Sequence, residues 1–213
     1  MNKKDRNRKH EDTEKTTAQS IKEWIGVIVT AVIIAAVVVQ FIRPTRVDGD
    51  SMYSTLENND YLIINTMKYR FSEPEKGDII IFDTDTPLDP AMDMSTDSRN
   101  ILKKGIDFVL GDDSRTKDLV KRVIAEGGDR VQISDGKVWV NEELIEEPYL
   151  DPGMTTEGEI DVIVPENTFF VMGDNRTVSL DSRYAEVGFI SKDKIMGEVM
   201  FRLLPVSSIG TVK

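Results

Sequence analysis

One stretch constrains this chain more than any other: Trp24-Ile-Gly-Val-Ile-Val-Thr-Ala-Val-Ile-Ile-Ala-Ala-Val-Val-Val-Gln-Phe41. No charge interrupts it. About 18–20 apolar residues suffice to carry a helix across the hydrocarbon of a bilayer. A helix buried in a globular domain is rarely this long and apolar on every face. Trp24 and Phe41 mark the ends, where aromatic rings favour the membrane interface. A cleavable leader would be shorter and would end in a small-x-small site. Here Gln40-Phe-Ile-Arg-Pro-Thr-Arg46 follows instead. The run predicts a transmembrane helix over residues 21–42. Residues 1–20 form a polar tail too poor in apolar groups to bury a core. Lys3, Lys4, Arg6, Arg8 and Lys9 place that tail in the cytoplasm. The prediction is a single-pass protein of the cell membrane with residues 43–213 outside it, close to the bilayer. Pro44 closes the helix.

The length beyond the anchor suits one domain. The chain carries a net charge of −11, and its acidic excess lies past the anchor. An acidic surface repels phosphate backbones, so nucleic acid is excluded as a partner. There is no cysteine, and the single histidine, His10, lies in the tail. A Ser-His-Asp triad and a histidine or thiolate zinc site are therefore excluded from the outer domain. Any general base there is Lys, Asp, Glu or Tyr.

The outer domain reads as mainly β. Tyr61-Leu-Ile-Ile-Asn65, Gly77-Asp-Ile-Ile-Ile-Phe82 and Thr168-Phe-Phe-Val-Met172 are short runs of strand formers. Val131-Gln-Ile-Ser134 and Lys137-Val-Trp-Val140 flank Asp135-Gly136, whose residues tolerate the positive φ of a tight hairpin. From about 83 to 118 the pattern lapses into an acidic, proline-broken insertion, with a short helix possible over 98–110. Its carboxylates do not follow the EF-hand spacing.

Two segments hold candidate chemistry. Val47-Asp-Gly-Asp-Ser-Met-Tyr-Ser-Thr-Leu56 centres on Ser51, lifted by a Gly49-Asp50 turn. A serine attacks only when a base takes its proton, and otherwise merely hydrogen-bonds locally. Leu119-Val-Lys-Arg-Val-Ile124 places Lys121 and Arg122 among apolar neighbours. Successive strand residues point to opposite faces, so one of the two is expected to face the interior. Arginine keeps its proton, whereas a desolvated lysine can lose it. A free lysine titrates near 10.4, so lowering its pKa by about two units makes the neutral amine about a hundredfold commoner, at a cost of about 3 kcal/mol. The alternative is a lysine that snorkels from a β edge. A third segment, Gly173-Asp-Asn-Arg-Thr-Val-Ser-Leu-Asp-Ser-Arg183, is too polar for an ordinary strand and could be a surface turn rich in ion pairs.

Taken in order behind a membrane anchor, these segments resemble the bacterial type I signal peptidases. Ser51-Met52 with Thr55-Leu56 is similar to that family's nucleophile box. Lys76-Gly77-Asp78-Ile79 resembles the strand box that follows it. Lys121-Arg122 with Gly128-Asp129 resembles the lysine box. Gly173-Asp-Asn-Arg176 with Ser179, Asp181, Ser182 and Arg183 resembles the last box. The likeness runs from the anchor to about Phe201, apart from the acidic insertion.

The resemblance implies a signal-peptidase-like β domain and a serine endopeptidase that cuts exported preproteins after small residues. In that reading Ser51 is the nucleophile and Lys121 the general base. Ser179 hydrogen-bonds and orients Lys121. Arg122 with Asp174, and Asp181 with Arg183, are supporting ion pairs. Gly49 and Met52 lie near the substrate, and the Ser51 N–H faces the developing oxyanion. No metal or organic cofactor is implied. The partners are preproteins with signal peptides and the lipid bilayer. Ser54 replaces the family's proline after the nucleophile, and Gly49 stands where some members carry a hydroxyl. Ala125-Glu126-Gly127 and Thr177-Val178 also depart from the pattern, and none of these changes removes a catalytic group. The alternative function is an anchored, non-enzymatic assembly factor or chaperone that kept the scaffold.

Overall fold

The structure, a computed structural model, describes residues 17–87 and 116–212, with side-chain surroundings for 21–35, 43–84 and 118–212. The tail up to residue 16, the possible helix at 98–110 and most of the acidic insertion lie outside the described residues. Two units divide the chain, residues 1–39 and 40–213.

The first unit contains all but the last two residues of helix α1 (Thr17–Phe41), which begins ahead of the expected residue 21. Its described side chains are all exposed. They end at residue 35, short of the roughly 20 residues a crossing needs. Among the described residues no helix is long and apolar enough to cross a membrane, so the anchor rests on the sequence.

The second unit is mainly β. Its strands are β1 (Ile42–Arg46), β2 (Tyr61–Asn65), β3 (Ile79–Pro87), β4 (Thr116–Glu126), β5 (Arg130–Ser134) and β6 (Lys137–Val140). They continue with β7 (Glu143–Leu144), β8 (Ile160–Ile163), β9 (Thr168–Met172), β10 (Ile190–Ser191), β11 (Ile195–Leu204) and β12 (Gly210–Thr211). A short helix, α2 (Lys68–Phe71), follows β2. The larger sheet runs β1-β2-β11-β3-β4-β9-β10, with β12 on β11, and the smaller one runs β7-β6-β5-β8.

The strands expected at 61–65 and 168–172 appear at those bounds, the one expected at 77–82 runs from Ile79 to Pro87, and the Asp135-Gly136 hairpin joins β5 to β6. Both turn residues take positive φ, 51° and 77°, as a two-residue hairpin requires. Pro44 differs from expectation. The helix ends at Phe41, and Pro44 sits inside β1, opposite Ile63. β1 is an edge strand, where a residue without an N–H breaks no ladder on its outer side. The expected insertion is also shorter at both ends. Asp83 pairs with Asp118 and Pro87 with Thr116, so these residues extend the β3–β4 ladder.

The apolar run of β3 explains the core. Ile79 and Ile81 belong to a group with Met52, Leu56, Leu62, Ile64 and Val199. Ile80 and Phe82 belong to another, with Tyr69, Val123, Val171 and Ile190. Alternate side chains of one strand thus enter different cores. A strand covered on both faces reads as continuously apolar rather than alternating. A third group, with Ile124, Val131, Ile133, Phe170 and Met172, joins the smaller sheet to β4 and β9.

Asp78 pins the entry to β3. It accepts hydrogen bonds from Lys68 Nζ at 2.9 Å, Tyr69 Oη at 2.8 Å and the Glu75 N–H at 3.0 Å. Lys68 also pairs with Glu198 of β11 at 2.9 Å. Burial pulls the Lys68 ammonium down, but the Glu198 and Asp78 carboxylates outweigh it and hold its pKa above the ordinary value. Burial, reinforced by Asp78, pushes the Tyr69 hydroxyl far above the tyrosine range.

Candidate active site

Ser51 stands on a turn between β1 and β2. Gly49 takes φ +99°, a conformation that glycine adopts without strain, and a Cβ there would meet no atom within 4 Å. Backbone conformation, not space, therefore calls for glycine. The Tyr53 N–H donates to Asp50 O at 3.2 Å and the Leu56 N–H to Met52 O at 2.8 Å, which winds the chain into a tight turn. Met52 is 1% exposed and packs into the core beneath that turn. Its side chain fixes the turn from the inside.

β4 brings Lys121 to the serine. Its Nζ lies 2.8 Å from Ser51 Oγ and donates to the Val120 carbonyl at 2.9 Å. Lys121 is 1% exposed and Arg122 3%. The sequence led us to expect only one of them inside. Both are buried, because both faces of β4 are covered. The snorkelling alternative for Lys121 is overturned by that burial.

Arg122 is held on three sides. Its Nε and Nη2 donate to Asp174 at 2.9 and 2.7 Å, and its Nη1 donates to Gly77 O at 2.9 Å. Arg183 Nε donates to Asp181 at 2.8 Å, and Asp181 also accepts the Gly173 N–H at 3.0 Å. The two expected ion pairs are both formed and both buried.

The segment after β9 grips the serine turn directly. The Asn175 N–H donates to Ser51 O at 3.0 Å, and Asn175 Nδ2 donates to Asp50 O at 3.1 Å. Thr55 Oγ1 donates to Asp174 Oδ2 at 2.5 Å. Gly173 is required by space: a Cβ there would lie 2.2 Å from Ser179 Oγ and 2.4 Å from Ser51 O. The Ser51 N–H makes no hydrogen bond among the described residues.

One expectation fails. Ser179 was to hydrogen-bond Lys121, but its buried Oγ has no hydrogen-bond partner. The hydroxyl is packed against Gly173, and Lys121 Nζ is turned toward Ser51 and Val120.

Several contacts of the site escaped the sequence reading. Arg176 is buried and donates to Glu147, Thr156 and Gly173 O. The Tyr149 ring lies 4.0 Å from the Arg122 guanidinium carbon. Glu147 is 29 residues from Arg176, and no local pattern marks such a partner. Among the described residues there is no cluster of three or more His, Cys, Asp or Glu able to hold a metal ion.

A buried amine within hydrogen-bond reach of a serine hydroxyl, in a histidine-free β domain, is the arrangement of a serine peptidase that uses lysine. The sequence pattern described as "Signal peptidase, peptidase S26" matches residues 21–204. The chain belongs to that family, whose members are serine peptidases that remove signal peptides. Signal peptidase I S of Bacillus subtilis is 33% identical over 203 residues, covering 90% of this chain and 93% of that protein. A probable signal peptidase I-2 of Synechocystis is 32% identical and covers 94% of this chain and 82% of that protein. A crystal structure of a signal peptidase I from Enterococcus faecalis is 22% identical with a TM-score of 0.41. It covers 61% of this chain and 98% of that one, and so loose a likeness adds nothing to the assignment.

Proposed function

We propose that Ser51 and Lys121 are the catalytic dyad of a membrane-anchored signal peptidase acting on exported preproteins. The observation that carries this is the 2.8 Å separation of Lys121 Nζ and Ser51 Oγ in a site closed to water on the lysine side. Burial disfavours the ammonium, and a neutral amine can accept a proton.

Ser51 Oγ attacks the scissile carbonyl carbon while its proton passes to Lys121 Nζ. The oxyanion that forms is met by the uncommitted Ser51 N–H. Lys121 then hands its proton to the departing amine, which leaves an acyl-enzyme and a neutral lysine. A water attacks the acyl carbon, Lys121 takes its proton, and collapse of the second tetrahedral species returns the proton to Ser51.

The supporting pairs, Arg122–Asp174 and Asp181–Arg183, hold the turn and the strand at this separation, and Gly49 leaves the approach to Ser51 open. Helix α1 serves as the anchor, with the basic tail in the cytoplasm and the β domain outside. The bilayer then confines enzyme and preprotein to one plane. The test is cleavage of a preprotein-like peptide in detergent or lipid across pH. Turnover by the wild type, abolished in Ser51→Ala and Lys121→Ala with the fold intact, is expected. Retained turnover in either variant overturns the mechanism. Binding without turnover by the wild type would instead support the assembly-factor reading.

A further inference from the structure

The segment 173–176 is the piece of chain that holds Ser51 in place, and it is itself held from one side by a single loop. That loop runs from residue 145 to 156, after β7. Tyr149 covers the face of the Arg122 guanidinium at 4.0 Å, while Asp174 and Gly77 occupy its edge. Glu147 pairs with Arg176, whose Nη1 also donates to Thr156 of the same loop. The Arg176 N–H points at Met154 Sδ, 3.4 Å away. Tyr149 Oη donates to Glu147 at 3.0 Å and ties the two grips together. Burial and the Glu147 carboxylate hold that hydroxyl well above the usual tyrosine range, so it remains a donor.

The consequence follows from the order of contacts. Asp174 and Arg176 are two residues apart, and Asn175 between them binds Ser51 O and Asp50 O. An arginine fixed in its plane by a carboxylate can still tilt, and the aromatic face prevents the tilt. Loosening either grip frees Asn175, and with it the serine turn. We propose that Tyr149 and Glu147 are positioning residues that set the Ser51–Lys121 geometry through Arg122 and Arg176. The proposal rests on the dyad reading given above. Neither side chain touches the reacting atoms. A displacement of about 1 Å at a reacting group can cost on the order of a hundredfold in rate.

The experiment uses the full chain in detergent with a preprotein-like peptide, and measures kcat, KM and the thermal midpoint for each variant. Tyr149→Leu keeps the apolar volume and removes the π face. It is expected to lower kcat by about 10- to 100-fold with little change in KM. Tyr149→Phe, which restores the ring, is expected to recover most of that kcat. Glu147→Gln is expected to lower kcat in the same way while the protein stays folded. Wild-type kcat in Tyr149→Leu and Glu147→Gln overturns the proposal. So does a loss that merely follows the folded fraction, or one that Tyr149→Phe fails to recover. An inactive wild type defeats the dyad reading itself and is seen before any variant is compared.

Discussion

A lysine can be buried beside a serine at moderate cost only as a neutral amine, since a desolvated ammonium is far more costly than its free base. Lys121 is buried with one N–H on the Val120 carbonyl and its Nζ against Ser51 Oγ. Lys121→Ala is expected to lower kcat by about 10²–10⁴-fold, the ordinary range for a lost general base. Lys121→Arg is expected to be as inactive, because arginine keeps its proton at any working pH. Steady-state kinetics of both variants check this. Arg122 and Asp174 are a different case, a buried ion pair whose worth shows when it is broken. Asp174→Ala removes the carboxylate from a buried guanidinium and is expected to cost about 3–5 kcal/mol, read from urea unfolding. Ser51 and Lys121 were legible at this scale through the family boxes they resemble, and the lack of histidine past residue 10 only kept lysine among the possible bases. The silent Ser179 hydroxyl was not, since its orientation depends on how Gly173 packs against it.

At the scale of elements, the turn between β4 and β5 shows how a short loop is fixed by charge. Asp129 accepts the Glu126 N–H at 2.9 Å and Asn141 Nδ2 at 2.6 Å, and pairs with Lys76 at 2.9 Å. Burial pushes its carboxyl up, but these partners together hold it below the ordinary aspartate value. A depressed folded pKa contributes stability that is present above the unfolded value and is lost as pH falls through the folded one. Asp129→Asn is therefore expected to flatten the acid side of stability against pH, below about 4, as read from urea midpoints at several pH values. Gly173 poses a spatial demand instead. Gly173→Ala would press a Cβ on Ser51 O and Ser179 Oγ and is expected to cost about 1–3 kcal/mol and to lower turnover more than stability. A melt and a rate on the same preparation separate the two. The strands themselves were legible because alternation and Asp-Gly turns are local signals. β1 was not, because its strand state comes from pairing with β2, and Pro44 reads locally as a breaker.

At the scale of the molecule, the chain divides after residue 39, and three core groups hold the β domain. The same division was visible in the sequence, where an apolar run free of charge gives way to acidic, strand-patterned chain. Residues that meet only through tertiary contact, such as Tyr149 with Arg122, left no trace there. If the first unit serves only to hold the enzyme at the bilayer, residues 40–213 alone should fold and cleave a short soluble peptide at nearly the rate of the whole chain. A preprotein embedded in vesicles is a different substrate. Confinement of both partners to one surface raises their effective concentration by orders of magnitude, and the truncated protein loses that gain. Its rate on the embedded preprotein is expected to fall by at least about tenfold relative to the full chain in the same vesicles. Equal rates on both substrates would show that the β domain finds the membrane without α1.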